Sequence, residues 1–223
     1  MWFPEQSERN WTAAETHLRL TSHKMRQIID LVGPCTLVPR RDYFVVLCKA
    51  IFTQQISTAV AAVLFGRFRD QFPSRRPTPK RVLEAIKHDG EAFRACGLSR
   101  QKRAYVRDLA EHFSTSQVPT RKLAAMSDEE VIDALVKVKG IGRWTAEMFL
   151  IFTLNRADVL PVDDLGLQKG AQLIFGLKKT PDAKTLMKLA EPWRPYRSIA
   201  TWYIWRGSAK MMENAKALKR VKR

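Results

Sequence analysis

Apolar residues recur at every third or fourth position through nearly the whole chain, the spacing that lines one face of a helix. Alternating apolar and polar runs are scarce, as are the Asn-Gly and Asp-Gly pairs that close β-hairpins. The pattern predicts helices over 12–31, 42–52, 55–71, 79–87, 91–95, 100–113, 120–125, 128–136, 142–154, 164–175, 182–190 and 195–205. Breakers stand between them, among them Gly33-Pro34, Pro73, Pro77, Gly97, Pro119, Gly140, Pro161, Gly176 and Pro192. Several starts carry suitable caps: Thr78 ahead of Pro79, Ser99, and Ser127 with Glu130 as a capping box. Gly33-Pro34-Cys35-Thr36-Leu37 is the one stretch that reads as extended or irregular. The expected fold class is all-α, built from many short helices.

Composition narrows the partners. The 223 residues leave room for one large domain or two small ones, and 45% hydrophobic content argues for a packed core. Thirty-nine Lys and Arg against 22 Asp and Glu give a formal charge of +17. An excess of that size self-repels and answers to a polyanion, with nucleic acid first, an anionic membrane second and a merely soluble basic surface as the plain alternative. Residues 206–223 hold seven Lys or Arg against one Glu, either a solvated, frayed tail or a supplementary hold on phosphate.

No signal-peptide core opens the chain, and the apolar runs at 43–52 and 148–154 are too short to span a bilayer. The expectation is an intracellular protein without a membrane role, cytoplasmic or nucleoid, or nuclear in a eukaryote. Cys35, Cys48 and Cys96 and the four histidines show no metal-ligand spacing, so no metal site is expected. The thiols read as ordinary residues of a reducing compartment.

Two segments carry chemistry. Val138-Lys-Gly-Ile-Gly-Arg-Trp-Thr-Ala146 reads as helix, tight turn, helix, with Gly140 and Gly142 both free to take positive φ. Such a turn presents backbone N–H groups at a helix N-terminus, a cradle for phosphate oxygens, although a plain turn explains the glycines too. Lys137, Lys139 and Arg143 surround it, and no acidic surface is expected there. Further on, Pro161-Val-Asp-Asp-Leu-Gly-Leu167 places two carboxylates at a helix start. One of them should be a cap; a lone carboxylate close to a backbone made to grip phosphate is a plausible way to cut a bond in DNA.

These residues resemble the helix-hairpin-helix DNA glycosylase superfamily, and within it the alkylpurine branch of the 3-methyladenine DNA glycosylase II type. The resemblance rests on Gly140-Ile-Gly-Arg-Trp-Thr-Ala146, Leu160-Pro-Val-Asp-Asp-Leu-Gly-Leu167, Pro195-Tyr-Arg-Ser-Ile-Ala-Thr-Trp-Tyr-Ile-Trp205 and Ala50-Ile-Phe-Thr-Gln-Gln-Ile-Ser57, and spans roughly 12–206. It implies a two-lobed all-α fold with the active site in the interlobe cleft, in a compact form lacking an extra N-terminal β domain. Residues 1–41 with 159–206 are expected to form one lobe, 42–158 the central lobe with the hairpin, and 207–223 a basic tail.

The resemblance also implies roles. The aspartate directly ahead of Leu-Gly-Leu is catalytic, which selects Asp164 and leaves Asp163 as cap or support. Bifunctional relatives carry a lysine nucleophile after Gly-X-Gly-Arg; here Trp144 stands there, so water is the expected nucleophile and the enzyme monofunctional. Trp144 and Trp205 are expected to wall the pocket for a flipped base, with Met148 and Gln54 beside them, whereas Phe149, Phe152 and Trp202 read as core. Electron-rich indoles favour cationic bases such as 3-methyladenine and 7-methylguanine. Gln55 matches the residue that plugs the duplex, with Lys139, Gly140, Ile141, Gly142, Arg143 and Thr145 holding the backbone.

Arg197 is left between a structural and a phosphate-facing role. The implied substrate is double-stranded DNA with alkylated bases, bound by a monomer. No cofactor is implied, although carbonyls of the hairpin turn are able to hold a monovalent cation. The alternatives are a non-catalytic helix-hairpin-helix DNA-binding module and a glycosylase preferring hypoxanthine or ethenoadenine.

Overall fold

The structure, a computed structural model, describes residues 11–88 and 96–221. Among the described residues there are eleven α-helices, two short 3₁₀ turns and no strand. The helices are α1 (Thr12–Thr21), α2 (His23–Val32), α3 (Tyr43–Thr53), α4 (Thr58–Asp70), α5 (Pro79–His88), α6 (Arg100–Ser114), α7 (Asp128–Val136), α8 (Arg143–Phe152), α9 (Leu165–Phe175), α10 (Ala183–Ala190) and α11 (Arg197–Val221). The chain divides into two compact units, residues 40–154 and residues 1–39 with 155–223. No described helix is long and apolar enough to cross a membrane.

Local chemistry accounts for the departures from the expected helices. The run 12–31 is broken at Ser22, whose extended backbone (φ −165°, ψ 154°) lets its hydroxyl accept the Met25 N–H and cap α2. Ser57 caps α4 in the same way, so 55–57 form a loop rather than a first turn. Residues 120–125 make successive turns, not a helix, with Lys122 and Leu123 N–H both returning to the Pro119 carbonyl. The last helix does not stop at 205 but continues to Val221, so the basic stretch is helical without a break at 206. The expected helix 91–95 lies outside the described residues, and Gly33–Leu37 is irregular.

In the discontinuous unit, α9 packs on α11, and glycine permits the approach. A Cβ on Gly170 would lie 2.8 Å from Ile204 Cγ2. The fully buried Tyr203 donates its hydroxyl to Glu15 Oε1 (2.8 Å) and to the Gly33 carbonyl (3.0 Å). The Cys35 N–H donates to the same Glu15 oxygen at 2.8 Å. These bonds tie the N-terminal helices to α11 in an interior where unmatched polar groups are costly. Desolvation and the Glu15 carboxylate hold the Tyr203 hydroxyl in its protonated, donating form.

In the 40–154 unit the core is aromatic. Phe52 meets Phe65 and Phe68 at ring-centroid distances of 5.2 and 5.0 Å, and Phe68 meets Phe72 at 5.1 Å. Helices α3 and α6 run antiparallel: Phe44, near the start of α3, contacts Phe113 near the end of α6, while Lys102 in the first turn of α6 bonds the Phe52 carbonyl in the last turn of α3. Burial raises the pKa of all three thiols, that of Cys35 to about 11, which keeps them protonated.

Candidate active site

Asp164 sits at the N-cap of α9, almost fully buried at 9% exposure. Its Oδ1 accepts the Leu167 N–H at 2.5 Å and the Trp205 indole N–H at 2.8 Å. The Asp164 N–H closes a turn onto the Pro161 carbonyl, and Gln168 braces that turn by donating to the Val162 carbonyl at 2.8 Å. The capping role expected of Asp163 thus belongs to Asp164, and Asp163 is exposed in the turn. An aspartate can both cap and act, because a carboxylate has lone pairs beyond the one the helix takes.

Gly166 completes this corner: a Cβ there would lie 3.0 Å from Asp164 Oδ1 and 3.3 Å from Trp205 Nε1. Trp205 is half-buried and orients the carboxylate directly, a contact 41 residues long in sequence. The result is one carboxylate fixed by two donors at the positive end of a helix. Its chemistry is to stabilise adjacent positive charge.

The hairpin lies in the other unit. The Val138 N–H returns to Leu135 O and the Ile141 N–H to Val138 O, which folds the chain back between α7 and α8. Gly140 takes φ 83°, and a Cβ there would fall 2.2 Å from the Tyr105 ring. Gly142 does not share that freedom: it is extended (φ −93°, ψ 173°) and serves as the N-cap of α8. The N-cap glycine brings no side chain to this helix, and a Cβ on Gly142 would meet nothing within 4 Å. The first-turn N–H groups of α8 therefore begin at an open position, the geometry that takes an anion. Ile141 (4% exposed) and Thr145 are buried and anchor the turn.

An acidic surface does accompany the hairpin, contrary to expectation. Arg143 donates to both oxygens of Glu129 (2.9 and 2.5 Å) and lies 3.3 Å from Glu147. The hydrogen bond from Arg143 depresses the Glu129 carboxyl pKa, and Glu129 raises that of the guanidinium. The Lys139 N–H donates to Asp108 Oδ2 at 2.8 Å, while its ammonium is exposed. These carboxylates stiffen the turn and aim its cations.

Gln54 and Gln55 occupy the loop between α3 and α4. The Gln54 amide donates to the Gly140 carbonyl at 2.7 Å, joining this loop to the hairpin. Lys102 donates to the Phe52 and Gln54 carbonyls at 2.8 and 2.7 Å, although burial lowers the pKa of its ammonium. Between these clamps Gln55 is exposed and left-handed at φ 57°, an uncommon conformation for a residue with a side chain. Gly140 O accepts from Gln54 and Val138 O from the Ile141 N–H, and each carbonyl keeps a second lone pair.

Trp144 is 49% exposed in the first turn of α8. Met148 lines a separate apolar recess of about 210 Å³ with Thr145, Phe149 and Phe152. Phe149 and Trp202 are core residues, but Phe152 is 38% exposed. Arg197 is structural: it grips Asp158 with Nε at 2.7 Å and Nη2 at 3.0 Å. Trp205, Lys102 and Glu129 have roles that no local pattern signals, because each acts on a residue distant in sequence.

Residues 48–195 match the model of the HhH-GPD superfamily base excision DNA repair proteins. The chain belongs to this superfamily. Its relatives include the alkylbase DNA glycosidase-like protein mag2 of Schizosaccharomyces pombe, 36% identical over 88% of this chain and 93% of the relative. DNA-3-methyladenine glycosylase 1 of the same yeast is also 36% identical, over 88% of this chain and 87% of its own length. A solved structure of the S. pombe 3-methyladenine DNA glycosylase in complex with abasic DNA superposes with a TM-score of 0.78 at 34% identity, covering 87% of this chain and 96% of that one.

Proposed function

We propose that this chain is a monofunctional DNA glycosylase that hydrolyses the N-glycosidic bond of alkylated purines, of the 3-methyladenine and 7-methylguanine type, in double-stranded DNA. The observation that carries this reading is the Asp164 carboxylate, buried and held by the Leu167 and Trp205 N–H groups. As the base departs, the glycosidic electron pair leaves with it and positive charge collects on the sugar. Asp164 opposes that charge, and water adds its oxygen to C1′ and gives up a proton. A purine alkylated at N3 or N7 is already cationic and leaves neutral, so the bond is weak and the protein needs to supply little acid catalysis.

The hairpin N–H groups, Lys139 and Arg143 hold the phosphates, Gln55 fills the gap in the duplex and Gln54 braces that loop. Trp144 and Trp205 offer indole faces to a cationic base; each such contact contributes about 0.5–2 kcal/mol. Trp144 in place of an amine leaves no Schiff-base nucleophile at that position. No step requires a cation or cofactor, and a monomer suffices.

The test is base release from methylated duplex DNA by wild type and Asp164→Asn. Release by wild type, a loss of about 10²-fold or more in the variant, and unchanged duplex affinity are expected. Binding without release by wild type overturns the enzyme in favour of a DNA-binding module. Preferential release of hypoxanthine or ethenoadenine overturns the substrate class, and strand breaks without alkali overturn the monofunctional mechanism.

A further inference from the structure

A groove of about 1030 Å³ opens on the 40–154 unit where the start of α3, the 3₁₀ turn Pro73–Arg75, the start of α5 and the end of α6 meet. Six cationic side chains line it: Arg41, Arg69, Arg75, Arg76, Lys80 and Arg81. The carboxylates in its wall, Asp42 and Glu84, are engaged by Arg40 and Lys80. Arg75 is paired with Asp70.

Among the described residues, no side chain pairs with the guanidinium of Arg41 or of Arg76. Arg69 and Arg81 are held by backbone instead, Nε of Arg69 donating to Arg75 O (2.9 Å) and Nη1 of Arg81 to Arg76 O (3.2 Å). Both keep further N–H groups of the fork. Ser74 and Arg75 are consecutive left-handed residues (φ 56° and 54°), a costly conformation for side-chain-bearing residues, and it is this turn that shapes the wall.

The groove is not the hairpin's edge. Tyr43 lines the groove at the start of α3, whereas Gln54 follows its end; eleven residues at 1.5 Å each separate the two by about 16 Å. On α6, Phe113 lines the groove and Tyr105 underlies the hairpin.

We propose that this groove is a second phosphodiester-binding site, which takes nucleic-acid backbone other than the stretch held at the hairpin. Arginine forks match phosphate oxygens in pairs, and forks already fixed by backbone lose little freedom on binding. A concave wall suits a strand of phosphates better than a membrane, which needs a protruding or flat amphipathic face. The backbone comes either from a distant part of the same DNA or from a second molecule.

The test compares wild type with the double variant Arg41→Gln, Arg76→Gln, folded by circular dichroism and thermal melting. On long lesion-free duplex, the slope of log affinity against log salt should be shallower in the variant by about 2, at roughly 0.9 for each phosphate that is no longer neutralised. Base release from a short lesion duplex of about one helical turn, ~10 base pairs, should be unchanged. Two short duplexes labelled with a donor and an acceptor dye separate the sources. Energy transfer with wild type, abolished in the variant, assigns a second molecule; no transfer but a changed slope on long duplex assigns the same DNA.

Equal salt slopes with no transfer overturn the proposal. So does loss of base release on the short duplex, which would make the groove part of the first site. Binding of phosphatidylserine vesicles that alone depends on Arg41 and Arg76 assigns the groove to membranes and overturns it as well. Salt slope and energy transfer remain readable whether or not the protein releases bases.

Discussion

The Asp164 corner and the hairpin loop solve opposite problems. At the corner a single oxygen is fixed by two donors, buried, and crowded by a glycine whose hydrogen leaves no room for a methyl. At the hairpin the working groups are backbone N–H, exposed side chains and a left-handed glutamine, and the hydrogen bonds lie behind them. A group that must oppose charge in a transition state needs one orientation and little water. A surface that grips a polymer needs exposure and a rigid base. Damage to the corner should therefore appear in kcat, and damage to the hairpin in affinity.

Trp205→Phe is the sharpest test of that division among positions that do not themselves react. It keeps an aromatic ring and removes the N–H that holds Asp164. A hydrogen bond to a charged group is worth about 1.5–3 kcal/mol, so kcat for base release should fall by about 10–100-fold. KM and the affinity for undamaged duplex should stay within about twofold, judged against the factor-of-two context dependence of such contacts. A rise confined to KM, with kcat unchanged, would mean that Trp205 serves only as a pocket wall and does not brace the carboxylate.

Gly140→Ala should do the reverse. The methyl collides with the Tyr105 ring, and the turn holds the alanine at a φ near 83°. Duplex affinity should drop by about tenfold with kcat at saturation little altered, alongside a stability loss of about 1–2 kcal/mol from the left-handed backbone. Adding Tyr105→Ala removes the collision and leaves the strain, so partial rescue of affinity measures how much of the loss came from each. Full rescue would show that the φ value is unimportant.

What is legible in the sequence follows the reach of each interaction. Helix placement is readable because apolar spacing and caps are local: Ser99 and Ser127 cap the helices they precede. Ser22 escapes such a reading because a serine fits a helix interior and a cap alike, and only its neighbours decide. The stretch after 206 reads as a tail because of its charge, yet Lys, Ala, Met and Leu are good helix formers and the run simply extends α11. Gly140 and Gly142 look equivalent in sequence, but only the first lies under Tyr105 with positive φ. Arg143 reads as a free cation because Glu129, 14 residues earlier, reaches it only once the hairpin has folded. Asp164 itself is marked by Leu-Gly-Leu, whereas the indole that holds it is not.

Gln55 gives the smallest expected effect and the cleanest separation of side chain from backbone. It is exposed and strained at φ 57°, so Gln55→Ala loses the amide and keeps the strain, while Gln55→Gly loses both. If the amide fills a vacated place in the duplex, both variants should slow base release from paired DNA by a similar few-fold factor, about 2–5, equivalent to one modest hydrogen bond. Release from a single-stranded lesion, where there is no partner base to satisfy, should not change. The glycine variant should melt no lower than wild type despite its slower release on duplex. A glycine variant with wild-type rates on duplex would place the importance of this position in the loop's backbone rather than in its side chain.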